Sequence, residues 1–230
     1  MEISNEKGAR IYTPLILKLY DLWVLQISNN YAWRCHTDNI LLRHFQINMA
    51  AKHLDIGVGT GYYIANIKDG SDNITLLDLN PNSLSAAAKR IGAHRISQVI
   101  QHDIFMPLPE SEKGQYDSVS LYYLLHCLRG TMHEKARAIE HASQALTDRG
   151  TLHGATILGK GAEHNGFGRY LMTVYNKKGI FSNAADSLED LRTELESYFD
   201  KVEIRQYGVV AVFTASLKKQ TAPNNQNAEK

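Results

Sequence analysis

The sequence predicts an α/β fold in which a doubly wound, mostly parallel seven-stranded sheet carries helices on both faces. Strand-like and helix-like stretches alternate regularly from about residue 50 to residue 217. A glycine-rich turn joins the first strand to the helix that follows it. The last two strand-like stretches follow each other across a short turn, which predicts a terminal antiparallel hairpin.

The composition fits one soluble globular domain. The chain has 230 residues, of which 43% are hydrophobic and 21% charged, and its net charge is +1. We therefore expect no nucleic-acid partner, which would require a basic stripe. Cys35 and Cys127 lack C-x-x-C spacing, so we expect reduced thiols, no disulfide and no metal site. The absence of a signal-like or 18-residue apolar run predicts a cytoplasmic protein with no membrane partner. We expect a monomer or a homodimer.

Two helices are predicted before the first strand. Residues 11–28 have apolar positions at helical spacing, and Pro14 suits the first turn of a helix beginning near Thr13. A second helix is predicted from about Thr37 to Ile47. The segment between them is rich in side chains that stack or hydrogen-bond, namely Tyr31, Trp33, Arg34 and His36. Packing of the helix pair on the sheet and a ligand-facing role are both open interpretations.

The later elements follow in order along the chain. Beyond the glycine turn, the strand patterns cover residues 74–79, 96–104, 116–122, 151–158, 201–206 and 209–217. Helices are predicted from Asn80 or Pro81, and over 134–146 and 187–199, with turns at 148–150 and 207–208. The polar residues 218–230 are expected to be disordered. The predicted organisation is therefore a helical cap over 1–49, an α/β domain over 50–217, and a tail.

The stretch H-L-D-I-G-V-G-T-G, residues 53–61, is the centre of the predicted site. Gly57, Gly59 and Gly61 allow a tight turn and a close approach to a ligand, and the next helix points its N–H groups at the loop. Asp55 stands two places before the first glycine, where a carboxylate suits an ammonium group better than a pyrophosphate.

Two further acids stand where later strands are predicted to end. Asp78 closes the second strand pattern and Asp103 lies near the end of the third. Since ligands bind at the carboxyl ends of strands in open α/β sheets, we expect Asp55, Asp78 and Asp103 to share one site. Three acids without a phosphate-binding lysine indicate a cationic nucleoside ligand that carries no phosphate.

The motif L-D-I-G-V-G-T-G resembles the first motif of the class I S-adenosylmethionine-dependent methyltransferases. The order of elements over about residues 50–217 is also similar to the Rossmann-like fold of that family. The resemblance implies S-adenosyl-L-methionine as cofactor, S-adenosyl-L-homocysteine as product, and in-line methyl transfer to an O, N, S or C nucleophile of a small molecule, as in secondary metabolism. Two alternatives stay open: a relative that uses the cofactor for cyclisation or rearrangement, and a non-catalytic binding module.

The resemblance implies roles for the residues at the strand ends. Asp78 is expected to accept hydrogen bonds from the ribose hydroxyls, although capping of the next helix is a competing interpretation. Leu79 is expected to lie against the adenine. Asp103 is expected to bind the adenine amine and Ile104 to pack on the ring, although Asp103 also suits a turn.

The fourth strand runs into Y-Y-L-L-H-C-L, which resembles the fourth motif of small-molecule methyltransferases. Tyr122 is the expected cofactor neighbour and, with His126, a candidate catalytic residue. An imidazole with its ordinary pKa of about 6.5 could take a proton from the substrate, but His126 also suits packing or capping at the next helix. Candidate substrate contacts lie beyond the fifth strand or beside Tyr122, namely Tyr123, His164, Asn165, Tyr170 and Tyr175. A surface helix with an ordinary apolar stripe is the competing interpretation of that later stretch.

Relatives of this size often close the cofactor cleft with helices that precede the first strand. Tyr20 and Trp33 are therefore expected to cover the sulfonium with a ring face, and Arg34 to hold the methionine carboxylate. These expectations make residues 1–49 a predicted lid.

Overall fold

The computed structural model describes residues 21–67 and 72–219, with side chains from residue 27 onward in the first range. The predicted helix start near Thr13, the candidate Tyr20 and the tail beyond residue 219 lie outside the described residues. Lys218, which was expected to open the tail, is the last residue of a strand.

Seven strands within the described residues form one sheet, which confirms the predicted fold class. The first five strands are parallel, and the last strand runs antiparallel to its two neighbours. The order across the sheet is β3-β2-β1-β4-β5-β7-β6. The bounds are β1 Lys52–Ile56, β2 Asn73–Asp78, β3 Ile96–Gln101, β4 Tyr116–Tyr122, β5 Leu146–Ile157, β6 Phe199–Tyr207 and β7 Val210–Lys218.

Two predicted turns differ from the structure. The stretch 148–150 was expected to be a turn, but it belongs to β5. The pairing of β4 with β5 jumps from Leu146 to Thr151 while β4 advances by two residues, so an irregularity in the strand takes up the extra length. The hairpin turn is Gly208–Val209, one residue later than predicted, because Tyr207 pairs with Val210.

The third strand ends at Gln101, earlier than its apolar pattern predicted. The backbone N–H of Phe105 donates to the Asp103 carboxylate at 3.0 Å, and that of Met106 donates to the Asp103 carbonyl at 2.8 Å. These local bonds form a turn, so the backbone leaves the sheet before Asp103.

Helices cover both faces of the sheet. Asn80, one of the two predicted helix starts, caps the helix that begins at Pro81 through its side chain. Thr131 with Glu134 forms a capping box at the helix that begins at Met132. The stretch after β5, for which a surface helix was one of the two interpretations, contains a twelve-residue helix, Gly166–Lys177. The bounds are α1 Asp21–Trp33 and α2 Thr37–Leu42, both wound as π-helix, then α3 Arg43–Asn48, α4 Tyr62–Ala65, α5 Pro81–Ile91, α6 Met132–Ala145, α7 Gly166–Lys177 and α8 Leu188–Tyr198.

Two apolar clusters fill the space between the sheet and its helices. Side chains of α6 and α8, such as Ile139 and Leu195, pack on one face. Side chains of α1, α2, α3, α5 and α7 pack on the other, where Phe45 of α3 is fully buried. The N-terminal helices therefore share a core with the sheet. Within the described ranges, every helix is too short or too polar to cross a bilayer.

Candidate functional site

A cavity lies at the carboxyl ends of the parallel strands, and the glycine turn forms one of its walls. The space between its walls, counted together with its open mouth, is about 1230 Å³. Most of the predicted cofactor residues line it, and so does one predicted substrate residue: Asp55, Gly57, Gly59, Asp78, Leu79, Asp103, Ile104, Tyr122 and Tyr123.

The three glycines of the turn have different surroundings. All three have positive φ, at 76° for Gly57, 53° for Gly59 and 70° for Gly61, where other residues are strained. A Cβ on Gly59 would meet nothing within 4 Å, so this part of the backbone is open to a ligand. A Cβ on Gly61 would lie 3.0 Å from Ala87 of α5, and Gly61 does not line the cavity. Gly61 therefore lies where α4 packs against α5.

Asp55 is a buried carboxyl group in the cavity wall. Its Oδ1 accepts a hydrogen bond from the Ser120 hydroxyl at 2.5 Å. Burial raises the pKa of Asp55 to about 7, opposed by the Ser120 hydrogen bond and assisted by the charge of Asp78. A cationic ligand group would offset this burial by restoring the ionised form.

Asp78 ties the glycine turn to the end of β2. Burial raises its pKa to about 6, while backbone hydrogen bonds from Asn80, Gly59, Val58 and Leu79 lower it. The Asn80 N–H lies 2.8 Å from Oδ1. Asp78 therefore holds the loop in shape and presents part of its carboxylate to the cavity.

The cavity fits a cationic, phosphate-free nucleoside. Three carboxyl groups line it, and among the described lining residues the only Lys or Arg is Arg129. Arg129 was not singled out from the sequence, because its position after Leu128 carries no motif. The open backbone at Gly59 and the apolar Leu79 and Ile104 suit the flat faces of a base and sugar.

Four tyrosines complete the walls, and two of them were missed because they follow the glycine turn on the short α4. Tyr62 and Tyr63 both line the cavity. The Tyr62 hydroxyl donates to Asp38 of α2 at 2.8 Å. The Tyr63 ring stacks on Phe45 of α3, with ring centroids 5.5 Å apart and planes 8° apart.

The other two tyrosines end β4 and also contact the N-terminal helices. The Tyr122 hydroxyl lies 2.6 Å from Nδ1 of His44 on α3. The Tyr123 hydroxyl donates to the Asn29 side chain of α1 at 2.8 Å. Tyr123 has a φ of 58°, a conformation that costs free energy in a non-glycine residue and recurs at functional sites.

His126 does not line the cavity. It is 2% exposed, and its Nδ1 accepts a hydrogen bond from the Ile157 N–H at 3.3 Å. Burial lowers the pKa of His126 to about 3, and the charge of Lys135 lowers it further. This placement matches the packing interpretation, and it does not favour the predicted role of a base.

Trp33 and Arg34 lie outside the cavity lining as well. Trp33 is 1% exposed and packs its ring near His164 and Phe181. Arg34 is exposed, and its guanidinium donates to the Glu163 carbonyl. The packing of α1 thus turns both side chains away from the place where a sulfonium or a carboxylate was expected.

The remaining predicted substrate residues belong to α7 and its flanks, away from the cavity lining. His164 bonds to the Leu158 carbonyl at 2.8 Å, and Asn165 caps α7. Tyr170 is 64% exposed, and Tyr175 packs its ring on that of a buried phenylalanine. The segment after α7 does reach the cavity, through Gly179 and Ile180.

A buried ion pair fixes that segment. The Lys135 ammonium on α6 lies 2.5 Å from the Asp186 carboxylate, and their side chains are 0% and 1% exposed. Lys135 also donates to the Ser182 carbonyl at 2.6 Å, and the Ser182 N–H donates to the His126 carbonyl at 2.8 Å. The pair therefore supports the wall formed by the neighbouring Gly179 and Ile180.

Comparison with known proteins bears on this site. A family described as "Methyltransferase domain" matches residues 54–152. The chain is 42% identical over 212 residues to the Physcion biosynthesis cluster O-methyltransferase of Aspergillus chevalieri, covering 92% of this chain and 95% of that one. It is 37% identical over 210 residues to the Demethylluteothin O-methyltransferase of Streptomyces thioluteus, covering 90% of each.

The fold agrees with these matches. A solved structure described as "DhpI-SAH complex structure" superimposes with a TM-score of 0.66 at 15% identity, over 91% of this chain and 95% of that one. Together with the glycine turn and the strand-end acids, the similarity places the chain in the class I S-adenosylmethionine-dependent methyltransferase family, as an enzyme that methylates a small molecule and uses S-adenosylmethionine as its cofactor.

Proposed function

We propose that this enzyme methylates an acidic hydroxyl oxygen, such as an enol or a phenol, on a planar and partly apolar small molecule. The observation that carries the proposal is that the polar side chains at the end of β4 and just after it already form hydrogen bonds within the protein. The Tyr122 hydroxyl is held by His44, and burial raises its pKa well above the usual 10. The Tyr123 hydroxyl and the Cys127 thiol both donate within the protein. A hydroxyl that ionises readily by itself needs no base from this strand.

Two further observations support an oxygen nucleophile and a planar substrate. The two relatives described above are named O-methyltransferases, and each matches at least nine tenths of this chain. The cavity wall holds four tyrosine rings, Tyr62, Tyr63, Tyr122 and Tyr123, whose faces suit a flat ring.

The strand-end residues would hold the cofactor. Asp55 suits the ammonium group, Asp78 the ribose hydroxyls, and Asp103 with Ile104 the adenine. When bound, the cofactor supplies a methyl group already activated on a sulfonium. The protein therefore contributes mainly by aligning the nucleophile and by excluding water.

Arg129 is the proposed partner for an anionic group in the cavity. A guanidinium binds carboxylates and oxyanions through paired, charge-assisted hydrogen bonds. The candidates are the ionised substrate oxygen and the methionine carboxylate.

The N-terminal helices α1, α2 and α3 are proposed to close the cavity as a lid. The support is that each of the four wall tyrosines contacts this segment, through Asp38, Phe45, His44 and Asn29. Since Phe45 and the sheet share one apolar cluster, deleting residues 1–49 would expose the core. Single substitutions in α3 are therefore a sharper test of the lid than truncation.

The proposed chemistry can be tested with sets of matched ring compounds. Each set would present one ring as the hydroxyl, amino and thiol derivative, and the assay would follow S-adenosylhomocysteine release and the mass gain of one methyl group between pH 6 and 9. We expect methylation of the hydroxyl compounds only, at a rate that rises with their ionised fraction. Comparable methylation of an amino or thiol compound would contradict the proposal.

A further inference from the structure

A chain of buried hydrogen bonds runs along one face of the sheet and ends at Asp55. Ser118 and Ser120 on β4 are both fully buried, and so is His53 on β1. Nδ1 of His53 lies 2.7 Å from the Ser118 hydroxyl, and its Nε2 lies 3.1 Å from the Ser120 hydroxyl. The Ala50 N–H donates to the Ser118 hydroxyl at 2.8 Å.

The direction of each hydrogen bond in this chain follows from the donor inventory. An ionised carboxylate only accepts, so the single hydroxyl proton of Ser120 goes to Asp55. The Ser120 oxygen must then accept from Nε2–H of His53, which leaves Nδ1 as an acceptor for the Ser118 hydroxyl. This arrangement requires a neutral imidazole, and burial does lower the pKa of His53 to about 3.

We propose that Ser120 and His53 are positioning residues of the cofactor site. Ser120, whose oxygen accepts from Nε2–H of His53, donates to Oδ1 of Asp55. This bond fixes the orientation of the carboxylate, favours its charged form and leaves Oδ2 for a cationic group of the ligand. This inference rests on the proposed contact between Asp55 and the cofactor ammonium. Both residues act through Asp55, since neither lines the cavity.

The groups around Asp55 set the sign of the expected effect. Asp78 on β2 raises its pKa, whereas Ser120 lowers it, and Tyr122 on β4 is close enough for its own pKa to respond to the Asp55 charge. Asp103 and Arg129 line the same cavity. Removing the Ser120 hydroxyl takes away a bond to the ionised form, so the pKa of Asp55 rises further.

The test is the pH dependence of S-adenosylhomocysteine binding, measured by calorimetry from pH 5 to 9. For the unaltered protein, affinity should fall about tenfold per pH unit below about pH 7, where Asp55 takes up a proton. Ser120→Ala should move this midpoint upward by about one pH unit or more, and Ser120→Thr should restore it. His53→Leu should shift it in the same direction, and His53→Gln, which keeps a donor near the Nε2 position, should shift it less.

Ser118→Ala is the matched control. It removes an equally buried hydroxyl that lies on the same strand and bonds to the same histidine, but it leaves the bond between Ser120 and Asp55 intact. Its midpoint should stay where it is in the unaltered protein, and thermal unfolding should show that all variants are folded at the temperature of the titration.

Two outcomes distinguish a failure of the positioning role from a failure of the proposed contact between Asp55 and the cofactor. If Asp55→Asn abolishes the step near pH 7 but Ser120→Ala leaves the midpoint unchanged, the positioning role is overturned and the contact to the cofactor stands. If Asp55→Asn binds as well as the unaltered protein at every pH, the assignment of Asp55 to the cofactor itself fails.

Discussion

Breaking the buried ion pair between Lys135 and Asp186 from one side is expected to destabilise the protein far more than removing both partners. Burial is the largest cause of the pKa change in each group, lowering that of Lys135 and raising that of Asp186. For both groups, therefore, the loss of hydration outweighs the attraction of the partner. The ion pair therefore adds little to the free energy of unfolding relative to a well-packed apolar pair. A single buried charge left without its partner lowers that free energy strongly.

The expected magnitudes follow from the complete burial of both side chains. Lys135→Met or Asp186→Leu alone should lower the free energy of unfolding by about 3–5 kcal/mol. For a chain of this length, that loss corresponds to a drop in melting temperature of roughly 6 to 20 °C. The double variant should lie within about 2 kcal/mol of the unaltered protein, the remaining loss coming from the Ser182 carbonyl, which no longer has its donor.

Urea unfolding of the four proteins completes a double-mutant cycle. The reasoning requires a coupling energy of several kcal/mol, with little change in the urea dependence of the free energy. If the double variant instead loses the sum of the two single losses, the desolvation argument is refuted. The exposed pair Arg192–Glu196, which is 39% and 53% exposed, is a control for which we expect almost no coupling.

The remaining predictions concern the cavity. Asp78→Ala should weaken S-adenosylhomocysteine binding tenfold or more, because a charged hydrogen-bond acceptor is lost; unchanged affinity in calorimetry would remove Asp78 from the site. Phe45→Ala should lower the free energy of unfolding by about 3–5 kcal/mol and weaken binding, while Ile47→Ala, at a position 72% exposed, should do neither. Equal binding by the two variants would contradict the lid. Asp55→Asn should stabilise the ligand-free protein by roughly 2–4 kcal/mol at pH 8 and hardly at pH 4. On folding, the pKa of Asp55 rises from 3.8 to about 7, so ionisation of Asp55 favours the unfolded state. The resulting loss of folding free energy is absent below pH 3.8 and complete above pH 7. An Asn variant that is no more stable at pH 8 would show that Asp55 is better solvated than its burial indicates.

The parts of the site that the sequence predicted are those encoded locally. Asp78 ends β2, Asp55 is the last residue but one of β1, and Gly59 lies in the turn that follows β1. All three reach the cavity because strand ends converge in a parallel sheet. Asp103 reaches it too, although the strand stops earlier than its apolar pattern indicates. Such positions can be read from a short window of sequence.

The parts that the sequence did not predict depend on how distant segments pack. Trp33 and Arg34 carry suitable side chains, but the packing of α1 against the hairpin turns them away from the cavity. His44 resembles any polar residue of an amphipathic helix, and its contact with Tyr122 spans 78 positions. No local pattern marks such a pair, because it exists only once α3 lies on the sheet.

The contact between the first helices and the last strand has a consequence for the order in which the chain can fold. His44 bonds to Thr214 of β7 across 170 positions at 3.0 Å, and the Val209 N–H in the hairpin turn donates to the Trp33 carbonyl at 3.0 Å. During synthesis α1 and α3 emerge well before the hairpin turn and β7, which they contact. Until the hairpin is made, the apolar side of these helices has no complete surface to cover. We therefore expect the cavity, whose tyrosines contact the same helices, to form only after the hairpin has formed.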